Sequence, residues 1–77
     1  MTRLPVVDAK KMEKLLLKLG FEVVRQKGSH RSFRHPDGRY TLVPVHQGTD
    51  LPRPTIREIL RQIGISVEEY NLHLLDL

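Results

Sequence analysis

The sequence contains no cysteine and no tryptophan. Without cysteine there is no disulfide, no thiolate metal ligand and no thiol nucleophile, and the redox compartment is left open. Aromatic residues are few, two phenylalanines and two tyrosines. No apolar run approaches the roughly 20 residues that a membrane helix needs. The start, Met1-Thr2-Arg3-Leu4-Pro5-Val6-Val7, has no long apolar stretch behind its one basic residue, so no signal peptide is expected. A cytoplasmic location is the default. There is no HExxH, no Cys/His cluster, no P-loop, no GxGxxG and no Gly-x-Ser-x-Gly elbow. The acids are scattered, with no obvious pair for glycoside chemistry. No cofactor and no metal are therefore expected; a site built from His30, His35 and His46 would lack any recognised spacing.

What is present is a chain of 77 residues, which allows one domain over 1–77. A chain this short buries about 60% of its unfolded surface, which leaves a modest core and no deep cavity between domains. Its formal net charge is +4 and its pI is near 9.9. The charge is uneven. Residues 1–24 carry +2, residues 25–61 carry +5 and residues 62–77 carry −3. Arginine dominates the basic middle, and its planar fork suits bidentate contact with phosphate. A polyanionic partner fits this pattern, and so does an ordinary solvated surface.

Residues 8–19 read as a helix: Asp8 is a good N-cap, and Met12, Leu15, Leu16 and Leu19 recur at helical spacing. Gly20 ends it. Lys10, Lys14 and Lys18 form a separate stripe, read as a solvated face. Phe21 to Gln26 reads as a strand, with Lys27-Gly28 as a tight turn. His30 to Arg34 is a second strand, His35-Pro36-Asp37-Gly38 a turn, and Tyr40 to Val45 a third strand in which Pro44 hints at an edge or a bulge. Gln47 to Pro54 is a loop. Thr55 and Glu58 form a capping box opening a helix with Ile56, Ile59, Leu60 and Ile63 on one face. Gly64 closes it. Ser66 and Glu69 form another box, before a short helix over 67–75. The class is α+β, ordered α-β-β-β-α with a short C-terminal helix. Short turns make the three-stranded sheet antiparallel. Two amphipathic helices bury their stripes on one sheet face, which leaves the other open.

Strand neighbours alternate sides. With Phe33 inward, His30, Ser32 and Arg34 point outward. With Val43 and Val45 inward, Tyr40, Leu42 and His46 point outward. Two histidines, an arginine and a tyrosine would then share the open surface. RNA carries its own nucleophile, the 2′-hydroxyl. A base that removes its proton and cations that steady the phosphorane charge can cleave the strand without metal. Lys27-Gly28-Ser29-His30-Arg31 fits this logic. Gly28 lets the backbone approach a phosphate, Ser29 can donate a hydrogen bond to it, and His30 can move the proton, since histidine titrates at about pH 6.5. Arg31 falls on the opposite side of an ideal strand, so Lys27 and Arg34 are the better cations. His46 is the candidate second acid or base. Tyr40 could stack on a base, and Arg57 and Arg61, at i and i+4, could form a basic helix stripe. His35 reads as structural, and His73 has no assigned role. Each feature has a plainer reading: Gly-Ser is also a hairpin turn, and a strand histidine is often solvated.

Leu19-Gly20-Phe21-Glu22-Val23-Val24-Arg25-Gln26-Lys27-Gly28-Ser29-His30-Arg31 resembles the LGF-x₃-RQ-x-GSH motif of the HicA toxins. Val43-Pro44-Val45-His46 with Asp50-Leu51 is similar to the family's VPVH…L segment. Thr55 to Ser66 resembles its GTLR-x-IL-x-Q-x-GIS helix, and Glu68-Glu69-Tyr70 its EEF. The resemblance spans residues 9–70. It implies a double-stranded-RNA-binding-domain-like fold and a type II toxin that cleaves mRNA without ribosomes. It places the active histidine at His30, implies a HicB-type antitoxin as protein partner, and implies no required metal. The chain departs from the pattern at Pro54, where the family has glycine. Proline fixes φ, so the loop from Gly48 to Pro54 is expected to take a different path. Two alternatives use the same open face: a non-catalytic RNA-binding module and a protein-interaction domain.

Overall fold

The computed structural model describes residues 3–46 and 48–77. Met1, Thr2 and Gln47, and with them the first residues of the expected leaderless start and of the expected loop, lie outside the described part. The elements are α1 (Ala9–Lys18), β1 (Glu22–Lys27), β2 (His30–Arg34), β3 (Tyr40–Pro44), α2 (Arg53–Ile63) and α3 (Val67–Leu75). The strands form one antiparallel sheet in the order β1-β2-β3. This is the expected α+β, double-stranded-RNA-binding-domain-like arrangement.

The helices form for the reasons their sequences suggest, with one exception. The Asp8 carboxylate accepts the Lys11 N–H at 2.8 Å and caps α1. Its apolar stripe, Met12, Leu15 and Leu16, is fully buried. The Ser66–Glu69 box is reciprocal: Ser66 Oγ accepts the Glu69 N–H at 3.0 Å, and Glu69 Oε1 accepts the Ser66 N–H at 2.9 Å. Those bonds hold the Glu69 carboxyl below its usual range. The exception is α2, which starts two residues before the expected Thr55. Pro52 is its N-cap and makes no side-chain capping bond. Proline is suited to a first turn because its missing N–H would have had no helical partner there. With the helix begun at Arg53, Thr55 lies inside it, and Glu58 turns instead to Arg61 and Gln62.

Helices α1 and α2 pack against β3 and the inner side of β2, where Phe33, Thr41 and Val43 are buried. Thr41 satisfies its hydroxyl by donating to Gln62 Oε1 at 2.7 Å. Strand β1 lies at the edge, and all six of its residues are exposed. A register shift between Val23 and Arg25 makes Val24 a bulge in β1, and β3 is the other edge strand, where Pro44 is tolerated. Arg39 ties the β2–β3 turn to α2: its guanidinium donates to the Ile63 carbonyl and, at 2.8 Å, to Asp37 Oδ2.

Tyr70 anchors α3. Its ring is fully buried, and its hydroxyl donates to the Pro5 carbonyl at 2.8 Å. Burial pushes the phenol up to about 12. Below pH about 10, both folded and unfolded chains keep this proton and the contribution is intact. Between about 10 and 12 the unfolded chain ionises first, so stability falls by up to about 3 kcal/mol. Urea unfolding of wild type and Tyr70→Phe tests this. At pH 8 the wild type is expected to be the more stable, by about 1 kcal/mol for the hydrogen bond. Near pH about 11.5 that advantage should vanish or reverse, because only the wild type has a buried phenol to ionise.

Candidate functional site

The site grows from the β1–β2 hairpin. Lys27 pairs with His30, which leaves Gly28-Ser29 as a two-residue turn. Gly28 has φ +59, and among the described residues no non-glycine residue has positive φ. A glycine with positive φ followed by a residue with negative φ is the type II′ pattern, whose twist matches that of the flanking strands. A Cβ at Gly28 would meet nothing within 4 Å, so the turn needs glycine for its dihedral and not for space. The Val45 N–H donates to the Ser29 carbonyl at 2.5 Å and fastens the turn to the end of β3.

Register then sorts the side chains. Phe33 is buried on the helix side, so His30, Ser32 and Arg34 take the other face. Ser32 pairs with Arg25 and Leu42, and Arg34 pairs with Tyr40. The outward set of β3 is Tyr40 and Leu42, which are 43% and 41% exposed. Arg31 faces the helices: its guanidinium donates to Glu13 Oε2 at 2.7 Å and to Gln26 Oε1 at 2.9 and 3.1 Å. The face opposite the helices is therefore open, and its cations are Arg25, Lys27 and Arg34.

A cleft of about 520 Å³ lies on this face. The hairpin walls it with Lys27, Gly28, Ser29 and His30; Arg25, Ser32, Tyr40 and Leu42 line the rest. The Tyr40 hydroxyl donates to Ser32 Oγ at 2.8 Å, and the phenol ring covers Ser32 so well that this outward serine is only 6% exposed. The Arg34 guanidinium sits 5.7 Å from the centre of the same ring. Leu42 also borders a second groove along α2, with Pro54, Thr55, Glu58 and Gln62. Pro54 thus sits where the open face meets the helix.

Of the residues singled out in the sequence, Lys27, Gly28, Ser29, His30 and Tyr40 share the cleft, and Arg34 flanks it through Tyr40. His46 does not join them. The ladder stops at Pro44, and His46 lines another groove with Asp8, Ala9, Lys10 and Glu13 at the start of α1. Arg57 and Arg61 are on α2, outside the cleft. Glu58 binds Arg61 through both carboxylate oxygens, at 2.5 and 2.8 Å. That pair pulls the Glu58 carboxyl down and the Arg61 guanidinium up. His35 packs edge-on against Phe21 at 5.1 Å, and its Nδ1 accepts the Asp37 N–H at 3.1 Å. Among the described residues no group of three or more His, Asp and Glu side chains is placed to hold a metal.

Three cleft residues were not picked out from the sequence as site residues, Arg25, Ser32 and Leu42. Hairpin arithmetic would have found Arg25: a two-residue turn at Gly28-Ser29 puts it opposite Ser32. Ser32 was placed outward, but nothing local shows that Tyr40 would reach back to cover it.

The cleft offers an imidazole, three hydroxyls and an amide-rich turn inside a ring of cations. This set can bind phosphodiesters and move protons beside them. No protein of curated function matches the chain. The family model described as the HicA toxin of bacterial toxin–antitoxin systems matches residues 9–65. That match covers the hairpin, the cleft and both packing helices, and the chain belongs to the HicA toxin family.

Proposed function

We propose that this toxin is a metal-independent endoribonuclease that cleaves mRNA in the cytoplasm, with His30 as its proton-transfer group. The observation that carries the reading is His30 at the rim of an open cleft whose cations are Arg25, Lys27 and Arg34. The substrate's 2′-hydroxyl attacks phosphorus. Lys27, Arg25 and the amides of the Gly28-Ser29 turn offset the charge that gathers on the phosphorane oxygens. Arg34 and Tyr40 hold the neighbouring nucleotide, and Tyr40 offers a ring face for a base. Arg57, and Arg61 where it can leave Glu58, extend the positive track along α2. His46 can assist only by contacting RNA outside the cleft.

The open face also suits the antitoxin. Leu42 is exposed at the join between the cleft and the α2 groove, so a HicB-type partner that buried Leu42 would block His30 as well. No helix among the described residues is long and apolar enough to cross a membrane.

The test is cleavage of a defined single-stranded RNA in EDTA. The expected products end in 2′,3′-cyclic phosphate and 5′-hydroxyl. A requirement for Mg²⁺, or equal cleavage of DNA, would refute attack by the 2′-hydroxyl.

A further inference from the structure

Attack by the 2′-hydroxyl expels a 5′-oxygen, and this poor leaving group needs a proton as the P–O bond breaks. If His30 takes the 2′ proton, another group must supply one. His46 lies in a different groove. Arginine does not give up its proton in proteins. Lys27 stands directly across the ladder from His30, beside the base and not beyond the phosphorus.

We propose that Tyr40 is the general acid of this cleft, with Ser32 positioning its phenol and Arg34 steadying the phenolate it leaves behind. The inference rests on the ribonuclease reading above. Tyr40 Oη and Ser32 Oγ are 2.8 Å apart. Two hydroxyls carry two hydrogens, and the bond between them uses one. Hydroxyls rotate to suit their partners. When Ser32 donates to the phenolic oxygen, the phenol hydrogen is free to point into the cleft, and no described residue accepts it there. Tyr40 springs from β3 opposite Arg34, but its ring leans back to Ser32. Ser32 and His30 are two residues apart on one strand face, about 7 Å. The phenolic oxygen is thus hydrogen-bonded to the residue one strand repeat from His30, and both side chains line the cleft in which a phosphodiester would lie between base and acid. The Arg34 guanidinium lies 5.7 Å from the centre of the Tyr40 ring.

The step balances. The 2′-oxygen bonds to phosphorus as its proton passes to His30. The P–O5′ bond breaks, and its electron pair takes the Tyr40 proton. The products are a 2′,3′-cyclic phosphate and a 5′-hydroxyl, and water returns a proton to the phenolate as His30 releases its own.

The experiment compares one single-stranded RNA with the same RNA carrying sulfur in place of O5′ at the mapped cleavage site. A thiolate leaves without a proton. Tyr40→Phe should slow cleavage of the oxygen substrate about 100-fold and leave the sulfur substrate within about threefold of wild type. Ser32→Ala should slow only the oxygen substrate, by about tenfold, because the phenol remains but is loosely held. His30→Ala should lose both. Equal losses on the two substrates for Tyr40→Phe would mean that the ring only positions RNA, and would overturn the proposal. So would an undiminished rate on the oxygen substrate, or sulfur rescue of Lys27→Ala instead. A wild type that cleaves neither RNA would sink the ribonuclease reading itself, a result distinct from the others.

Discussion

His30→Ala is expected to lower RNA cleavage by about 10²- to 10⁴-fold, the range for loss of a positioned acid or base, while RNA affinity stays within about threefold. The separation of the two effects follows from where His30 sits. Its side chain is exposed at the start of β2 and has no hydrogen-bond partner among the described residues, so alanine removes no packing. Surface changes of this kind shift stability by no more than about 0.5 kcal/mol. Phosphate affinity comes instead from Arg25, Lys27 and Arg34. Lys27→Ala should differ, weakening binding as well as cleavage and reducing the salt slope by about 0.7 for one lost contact with a single strand. Gel-resolved cleavage and filter binding, run on both variants across a salt series, measure the two effects separately. If wild type and His30→Ala bind RNA equally and neither cuts, the cleft is a binding surface and not a nuclease. If neither binds RNA even at low salt, the open face serves protein docking alone.

Much of this site was legible because it follows from periodicity. The stripe Met12, Leu15, Leu16 and the stripe Ile56, Ile59, Leu60, Ile63 turned out buried as spaced. One inward residue, Phe33, set the parity of β2 and so put His30 and Arg34 outside. The motif resemblance singled out the same hairpin independently. What escaped the reading depends on contacts between distant segments. A capping box at Thr55 and Glu58 is a local pattern, but Pro52 and Pro54 allow the helix to begin earlier, and Glu58 finds a stronger partner in the Arg61 guanidinium. His46 has the parity of Tyr40 and Leu42, yet parity applies only while the ladder lasts, and it lasts to Pro44. Arg25 stayed unnoticed, although the register from the turn to Ser32 is regular, because β1 is exposed throughout and has no buried residue to set its parity. Ser32 was placed on the correct face but is covered, because Tyr40 from the next strand folds over it. A sequence shows the face a side chain takes more readily than the neighbour that leans across it.

The two faces of the sheet can be told apart by stability as well as by activity. Phe33→Ala should destabilise the protein by about 3 to 5 kcal/mol, the usual cost of removing a buried aromatic ring and leaving a cavity. Phe33 is wholly buried between α1, α2 and the sheet, so little nearby can collapse into the gap. Leu42→Ala, one strand over and on the opposite face, should cost less than about 1 kcal/mol, because Leu42 already keeps 41% of its surface in water. A domain of this size has roughly 4 to 12 kcal/mol in total. The first change therefore consumes much of the margin and leaves a substantial unfolded fraction on mild heating, whereas the second hardly moves the midpoint. Urea unfolding monitored by circular dichroism gives both values. Near-equal losses would mean that the sheet buries both faces, and the open cleft around His30 would have no basis. The expected inequality also has a functional consequence. RNA cleavage by Phe33→Ala should fall in proportion to its folded fraction and recover on cooling toward the temperature of maximum stability. The loss in His30→Ala should persist at every temperature, because that variant remains folded and lacks only the proton-transfer group.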